Sequence, residues 1–163
     1  MSRLLDPVLF YRIARWLYCR NIPVLPRVLE GLSVVVFHCE IPYVTKIGSN
    51  LQLAHHAFGL VIHPRAVLGD NVVISPGVVI GGINCRSEVP RIGNNVYVGP
   101  GAKILGDVVV GECAVIGANA VVLYFIPPCS VAVGIPARII RTDIDPFEYS
   151  GWPSHLFAIR YPG

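Results

Sequence analysis

Aliphatic residues recur at an interval of six along the chain. Ile92, Val98, Ile104, Val110, Ile116 and Val122 keep the interval without a slip, and Gly93, Gly99, Gly111 and Gly117 directly follow four of them. The same beat runs earlier through Ile62, Leu68, Ile74 and Ile80, and before that through Ile41, Ile47 and Leu53. Six fits neither the 3.6-residue period of a helix nor simple strand alternation over a long run. It fits a chain that makes a short strand, turns a corner and repeats. Three such strands close one triangular coil, so residues three sixes apart stack on one another. This spacing predicts one inward column from Ile62, Ile80, Val98 and Ile116. The glycines after the aliphatic positions are assigned to tight corners, since only glycine takes positive φ without steric cost. Ala102, Ala114, Ala118 and Ala120 are expected to fill the narrow interior.

Two pieces outside the beat flank it. Residues 8–17 are mostly apolar, with Arg12 and Arg15 on another side, and read as one amphipathic helix. Pro23 and Pro26 break that helix, and residues 28–37 return as a second helical or extended segment. After Arg141 the chain turns rich in aromatics and prolines (Phe147, Tyr149, Trp152, Pro153, Phe157, Tyr161), an irregular tail packed on the solenoid end. The expected organisation is an N-terminal helical segment over 1–39, a solenoid domain over 40–141 and a tail over 142–163.

Function is expected where the repeat is interrupted. The first break separates Leu53 from Ile62 by nine residues and holds Ala54-His55-His56-Ala57-Phe58-Gly59, a titratable cluster at an otherwise apolar corner. The second follows Ile80. Two ordinary repeats before Ile92 would set Arg86 at an inward corner as an unpaired buried charge, so residues 82–90 are read as a loop leaving the prism. A third cluster is Pro127-Pro128-Cys129-Ser130 continuing to Val133-Gly134-Ile135-Pro136-Ala137-Arg138. His63 is placed at an outward, solvent-facing corner.

Composition narrows the classes. Hydrophobic residues make up 53% of the 163 and charged ones 14%, enough to bury a core in one domain. A net charge of +3 is too mild for a nucleic-acid surface, yet suits an anionic small molecule if a few cations converge on it. The N-terminus lacks a signal-peptide layout, and early apolar runs fall far short of the roughly 20 residues of a membrane span. Five scattered cysteines without a CxxC pair argue against zinc or a disulfide framework and for reduced thiols in a cytoplasmic protein.

The aliphatic-Gly-x4 pattern over residues 40–140 resembles the hexapeptide-repeat acyltransferases. That resemblance implies an all-β solenoid, a left-handed parallel β-helix with a short N-terminal helical segment, usually assembled as a homotrimer with active sites between subunits. The segment from His56 to Ile62 is similar to the His-x-x-Gly stretch of the serine acetyltransferase branch, whose histidine is the general base. Imidazole suits that role, because acetyl transfer to an alcohol requires removal of the hydroxyl proton near neutral pH. The family's acidic partner, six positions before a Lys-Ile-Gly segment, corresponds to Glu40, ahead of Lys46-Ile47-Gly48. Counted from Lys46, this chain has one residue more than the family before His-x-x-Gly, so either His55 or His56 could face the acceptor; His56 is the expected base and His55 a neighbour that shapes the site. The family's active-site loop starts from a Gly-Gly, matched by Gly81-Gly82. It ends in a substrate-contacting histidine whose position here is Val89. In relatives the closing segment lines a CoA groove, which implies backbone contacts near Gly134, a phosphate at Arg138 or Arg141, and room for the pantetheine arm at Gly99 and Ala118.

The expected function is therefore acetyl transfer from acetyl-CoA, a co-substrate with no metal involved, to a hydroxyl acceptor. Val89 and the roughly forty residues before the first coil favour a sugar of a surface polysaccharide or its precursor, as in short polysaccharide O-acetyltransferases. Serine or homoserine is the alternative acceptor. A carbonic anhydrase on the same solenoid would need three histidines in a set this chain does not supply. A scaffold without activity would not explain the His-x-x-Gly interruption together with the Gly-Ile-Pro-Ala-Arg ending.

Overall fold

In a computed structural model, residues 6–83 and 88–145 are described. Helix α1 spans Pro7–Cys19 and α2 spans Leu25–Phe37. The carboxylate of Asp6 caps α1 by accepting from the Val8 amide at 2.9 Å, with Pro7 behind it in the first turn. Helix α1 ends ahead of Pro23, so the first helix is interrupted as expected, but Pro26 belongs to the second helix rather than to the break. It lies in the first turn of α2, where its missing N–H would have no helical partner, and residues 28–37 are helical rather than extended. The helices pack on each other, with Phe10 and Phe37 meeting edge to face at 5.3 Å.

From residue 40 onward the chain winds as a three-sided parallel β-helix. One face stacks Ile47, Leu68, Ile92 and Val110, a second Leu53, Ile74, Val98, Ile116 and Ala132, and a third Ile62, Ile80, Ile104 and Val122. From Ile62 onward the aliphatic members of these columns are almost wholly buried. Helix α1 closes the N-terminal end of the prism. Val8 and Tyr11 join the solenoid core, the Tyr11 hydroxyl donates to the Thr45 carbonyl at 2.7 Å, and Arg15 donates to the carbonyls of Tyr43 and Val44.

The predicted column splits. Ile62 and Ile80 share one face, but Val98 and Ile116 stack on another. The stacking interval is eighteen only away from the interruptions. Ile47 meets Leu68 across twenty-one residues, because the His55-His56 corner adds three, and Leu68 meets Ile92 across twenty-four, because the 82–90 loop adds six. An extruded segment changes the phase without disturbing the register.

The glycines also act differently from the expectation. Gly93, Gly99, Gly111 and Gly117 are absent from the positive-φ positions. Their neighbours on the adjacent coil lie too close for a side chain: a Cβ on Gly93 would fall 2.7 Å from the Glu112 nitrogen, and one on Gly99 2.8 Å from the Ala118 nitrogen. Positive φ falls two residues later, on Asn95, Gly101, Cys113 and Asn119, and on Asn50, Asn71 and Cys129 at matching corners of other coils. Asparagine tolerates this conformation, and here it gains a ladder: Asn50 donates to Asn71, and Asn71 to Asn95, each at 3.0 Å. Ala102, Ala114 and Ala120 fill the interior as expected, whereas Ala118 is exposed at a corner. Of the tail over 142–163, residues 146–163 lie outside the described residues. Among the described residues no helix is long and apolar enough to cross a membrane.

Candidate active site

The first interruption folds over Ala54–Ala57 as a turn whose backbone kinks out of helical geometry at His55 and His56. His55, His56 and Ala57 take φ of 49°, 58° and 46° in succession, a left-handed run that costs each non-glycine residue about 1–2 kcal/mol. The surroundings hold it in place. Ala57 and Leu60 are completely buried, and the Leu60 amide returns to the Ala57 carbonyl at 2.9 Å. The Gly59 amide donates to the carbonyl of His38 at the end of α2, and the Phe58 carbonyl accepts from Gly77 on the next coil. With the backbone anchored on both sides, the side chains of His55 and His56 project into solvent. Runs of this kind concentrate at functional sites.

A residue that sequence reasoning missed stands beside this corner. His38, at φ 54° where α2 ends, stacks on Phe58. Its only signal in the sequence is its place just ahead of Glu40. Phe58 is 60% exposed despite this contact, so the pair forms an aromatic wall open to solvent next to the histidines.

Glu40 is bridged to Val61, its amide donating to Leu60 and its carbonyl accepting from Ile62. Its backbone therefore runs alongside the strand that follows the histidine corner. Its carboxylate shares a hollow of about 390 Å³ with Arg27, Glu30 and Tyr43. Burial, together with the Glu40 charge, holds the Glu30 carboxyl above its ordinary range against the opposing hydrogen bond from the Tyr43 amide. Among the described residues, no hydrogen bond joins Glu40 to His55 or His56.

Successive corners along one edge of the prism bring together Phe58, Pro76, Pro100 and Ala118. The amides of Gly77, Gly101 and Asn119 donate to the carbonyls of the first three, one coil to the next. The edge starts at the histidines and runs toward the C-terminal hairpin. There strand Val131–Val133 is followed by Gly134 at φ 98° and by Arg138–Arg141, which pairs back antiparallel so that Arg138 opposes Val133 and Arg141 opposes Val131. Val121 holds the connection, donating to the Gly134 carbonyl and accepting from the Ala137 amide. Gly134, Arg138 and Arg141 are exposed, whereas Gly99 is buried beneath Ala118. Of that pair only Ala118 offers surface to a ligand; Gly99 permits close coil packing.

On the opposite side of the same face, Gly81 pairs with Leu105 and Gly82 leaves the prism exposed. Ile83 seats on Gly106, where a Cβ would come within 2.8 Å of its terminal carbon, and Val89 lies near Gly82. Both ends of the loop are thus pinned at the prism wall; Arg86 lies outside the described residues. His63 is half-buried at its corner, its Nδ1 accepting from the Arg65 amide at 3.1 Å.

Comparison with known proteins adds to this geometry. Residues 90–123 match the family described as bacterial transferase hexapeptide (six repeats). The chain is 39% identical over 148 residues to the serine acetyltransferase of Synechococcus elongatus, spanning 88% of this chain and 60% of that protein. It is 39% identical over 138 residues to the serine acetyltransferase of Escherichia coli, spanning 83% and 50%. Among solved structures, the serine acetyltransferase of Brucella abortus in complex with coenzyme A superposes with a TM-score of 0.79 at 38% identity, over 88% of this chain and 62% of that one. The chain thus spans between about half and three-fifths of the length of these relatives.

Proposed function

The chain belongs to the hexapeptide-repeat transferases, folds as their left-handed parallel β-helix and is homologous to serine acetyltransferases over most of its length, and from that premise we propose that it transfers the acetyl group of acetyl-CoA to the hydroxyl of L-serine. The observation that carries this reading is the 39% identity to a serine acetyltransferase across 88% of the chain. It favours the amino-acid alternative over the sugar acceptor that Val89 suggests. Val89 then means only that the acceptor is held without the family's loop histidine, and His38 supplies another imidazole beside the corner.

His56 acts as base. Its imidazole takes the proton of the serine hydroxyl as that oxygen attacks the thioester carbonyl. The tetrahedral adduct collapses with loss of CoA thiolate, which recovers the proton from the imidazolium. His55 shapes the acceptor side. Glu40 orients and stabilises the imidazolium once its carboxylate turns from the hollow it shares with Glu30 toward the corner. CoA runs along the edge ending at Ala118 and Gly134, with Gly81 and Gly82 at the opposite border of the face and phosphate charge met by Arg138 and Arg141. The protein works as a cytoplasmic homotrimer in which a neighbouring subunit completes each site.

A side-by-side assay of CoA release tests the acceptor, using L-serine, homoserine and a panel of free and nucleotide-linked sugars at equal concentration. Turnover of L-serine with the sugars silent is the expected result. Turnover of a sugar with L-serine silent would return the acceptor to the polysaccharide class.

A further inference from the structure

The ladder of turn residues changes chemistry at its C-terminal end. Asn50, Asn71 and Asn95 occupy the positive-φ position of successive coils, and Cys113 and Cys129 occupy the same position in the next two. The backbone places one cysteine directly over the other. Two residues beyond them Val115 pairs in register with Val131, the Cys129 amide donates to Glu112 at 2.9 Å, and the Cys113 amide donates to Asn94 at 2.8 Å. Adjacent parallel strands lie about 4.8 Å apart, inside the Cα separation of roughly 4.4–6.8 Å that a disulfide spans. The side chain of Cys113 lies between those of Cys129 and Asn95, its neighbours in the column. Thiols are weak donors and acceptors, so two cysteines continue an amide ladder poorly. They are well placed for bond formation.

We propose that Cys113 and Cys129 form a reversible disulfide between adjacent coils, a redox staple at the base of the C-terminal hairpin. The Cys129 carbonyl accepts from Ile144 just beyond the hairpin strand, and Cys129 packs against the cluster of Val115, Val131 and Ile144. The staple therefore sits under the segment carrying Gly134 and Arg138. Both cysteines are half-buried, within reach of a small disulfide; Cys19 is exposed on α1 and Cys39 is buried beside Ser33, both away from this column.

The oxidant is a low-molecular-weight disulfide such as oxidised glutathione. One cysteine loses its proton to solvent and attacks a glutathione sulfur. That S–S bond breaks, and the leaving thiolate is protonated. The second cysteine, likewise deprotonated, attacks the protein sulfur of the mixed disulfide and releases the second glutathione. Two protein S–H bonds and one glutathione S–S bond become one protein S–S bond and two glutathione S–H bonds. Burial and the neighbouring Cys129 push the Cys113 thiol up to about 11, so exchange is slow near neutrality and quickens as the thiolate fraction rises.

The test incubates the full chain with excess oxidised glutathione at about pH 9, where exchange is faster, alkylates the remaining thiols and maps unreduced peptides by mass spectrometry. The expected product is an intramolecular Cys113–Cys129 cross-link that dithiothreitol removes. Because it closes a loop of about 15 residues, the thermal midpoint should rise by on the order of 5–10 °C. Cys129→Ser and Cys113→Ser should each give a glutathione adduct on the remaining cysteine and no such rise. Recovery of Cys113 and Cys129 as free thiols, as separate glutathione adducts or bonded to other cysteines overturns the proposal, and the wild-type map decides this even where a variant folds poorly.

Discussion

The imidazole of His38 stacks on the phenyl ring of Phe58 with centroids 4.9 Å apart and planes inclined by 29°. The contact joins the end of α2 to the corner carrying His55 and His56, alongside the hydrogen bond from Gly59 to the His38 carbonyl. A left-handed run of three residues without glycine needs such bracing. Phe58→Ala should lower kcat by roughly tenfold while leaving KM for acetyl-CoA nearly unchanged, since misplacing a base costs rate rather than donor binding. Phe58→Tyr keeps the ring and should restore most of the rate. Steady-state kinetics separate this positioning role from global damage, which would depress both parameters.

His56→Ala should reduce turnover by roughly two to four orders of magnitude, the scale of a lost general base, with coenzyme A affinity retained. His55→Ala should cost much less. Calorimetric titration with coenzyme A beside the kinetics distinguishes lost chemistry from lost fold. A dead His55→Ala beside an active His56→Ala would shift the base by one position.

Arg138 stands exposed on the hairpin strand, its guanidinium reaching back to the Ala137 carbonyl at 3.3 Å. If it meets the 3′-phosphate, Arg138→Ala should raise KM for acetyl-CoA several-fold more than for acetyl-dephospho-CoA. Equal effects on both donors would move its contact to the pyrophosphate or the surface.

Two glycine substitutions should act in opposite directions. A Cβ on Gly111 would run into the backbone of Pro127 and Pro128 on the next coil, which no side-chain rotation relieves. Gly111→Ala should destabilise the fold by about 1–3 kcal/mol. Gly31 lies within α2 with nothing inside 4 Å of an added Cβ, and Gly31→Ala should stabilise by about 0.5–1 kcal/mol through helix propensity. Denaturant unfolding of both variants checks the signs.

Glu30 gives a pH signature. Its carboxyl is raised in the folded protein by burial and by Glu40, so folding favours the protonated form. That contribution is present below the unfolded carboxyl's ordinary value and is lost as pH rises through the folded one. Above that point the carboxylate opposes folding, and Glu30→Gln should melt higher than wild type near pH 7. The difference should fade below the ordinary carboxylate range. A melting series from acid to neutral pH reads it directly.

The six-residue beat was sufficient to identify a solenoid, because a coil of three short strands imposes its period on every inward position. The same beat showed where the chain departs from the prism, at the His55-His56 corner and after Gly81, and where it ends in the Gly-Ile-Pro-Ala-Arg segment. Which residues stack was beyond its reach. The extruded segments set Ile80 over Ile62 but Ile116 over Val98, a phase decided by where each coil closes rather than by local spacing. The glycines were legible as necessary, yet for the wrong reason: Gly99 is held to hydrogen by the approach of Ala118 from another coil, a distance no single hexapeptide contains. His38 and the Cys113–Cys129 pair were invisible for the same reason. His38 and Phe58 are twenty positions apart in the chain, and the cysteines sixteen. Such neighbours are made by the winding of the chain, which converts a repeat in one dimension into contacts across coils.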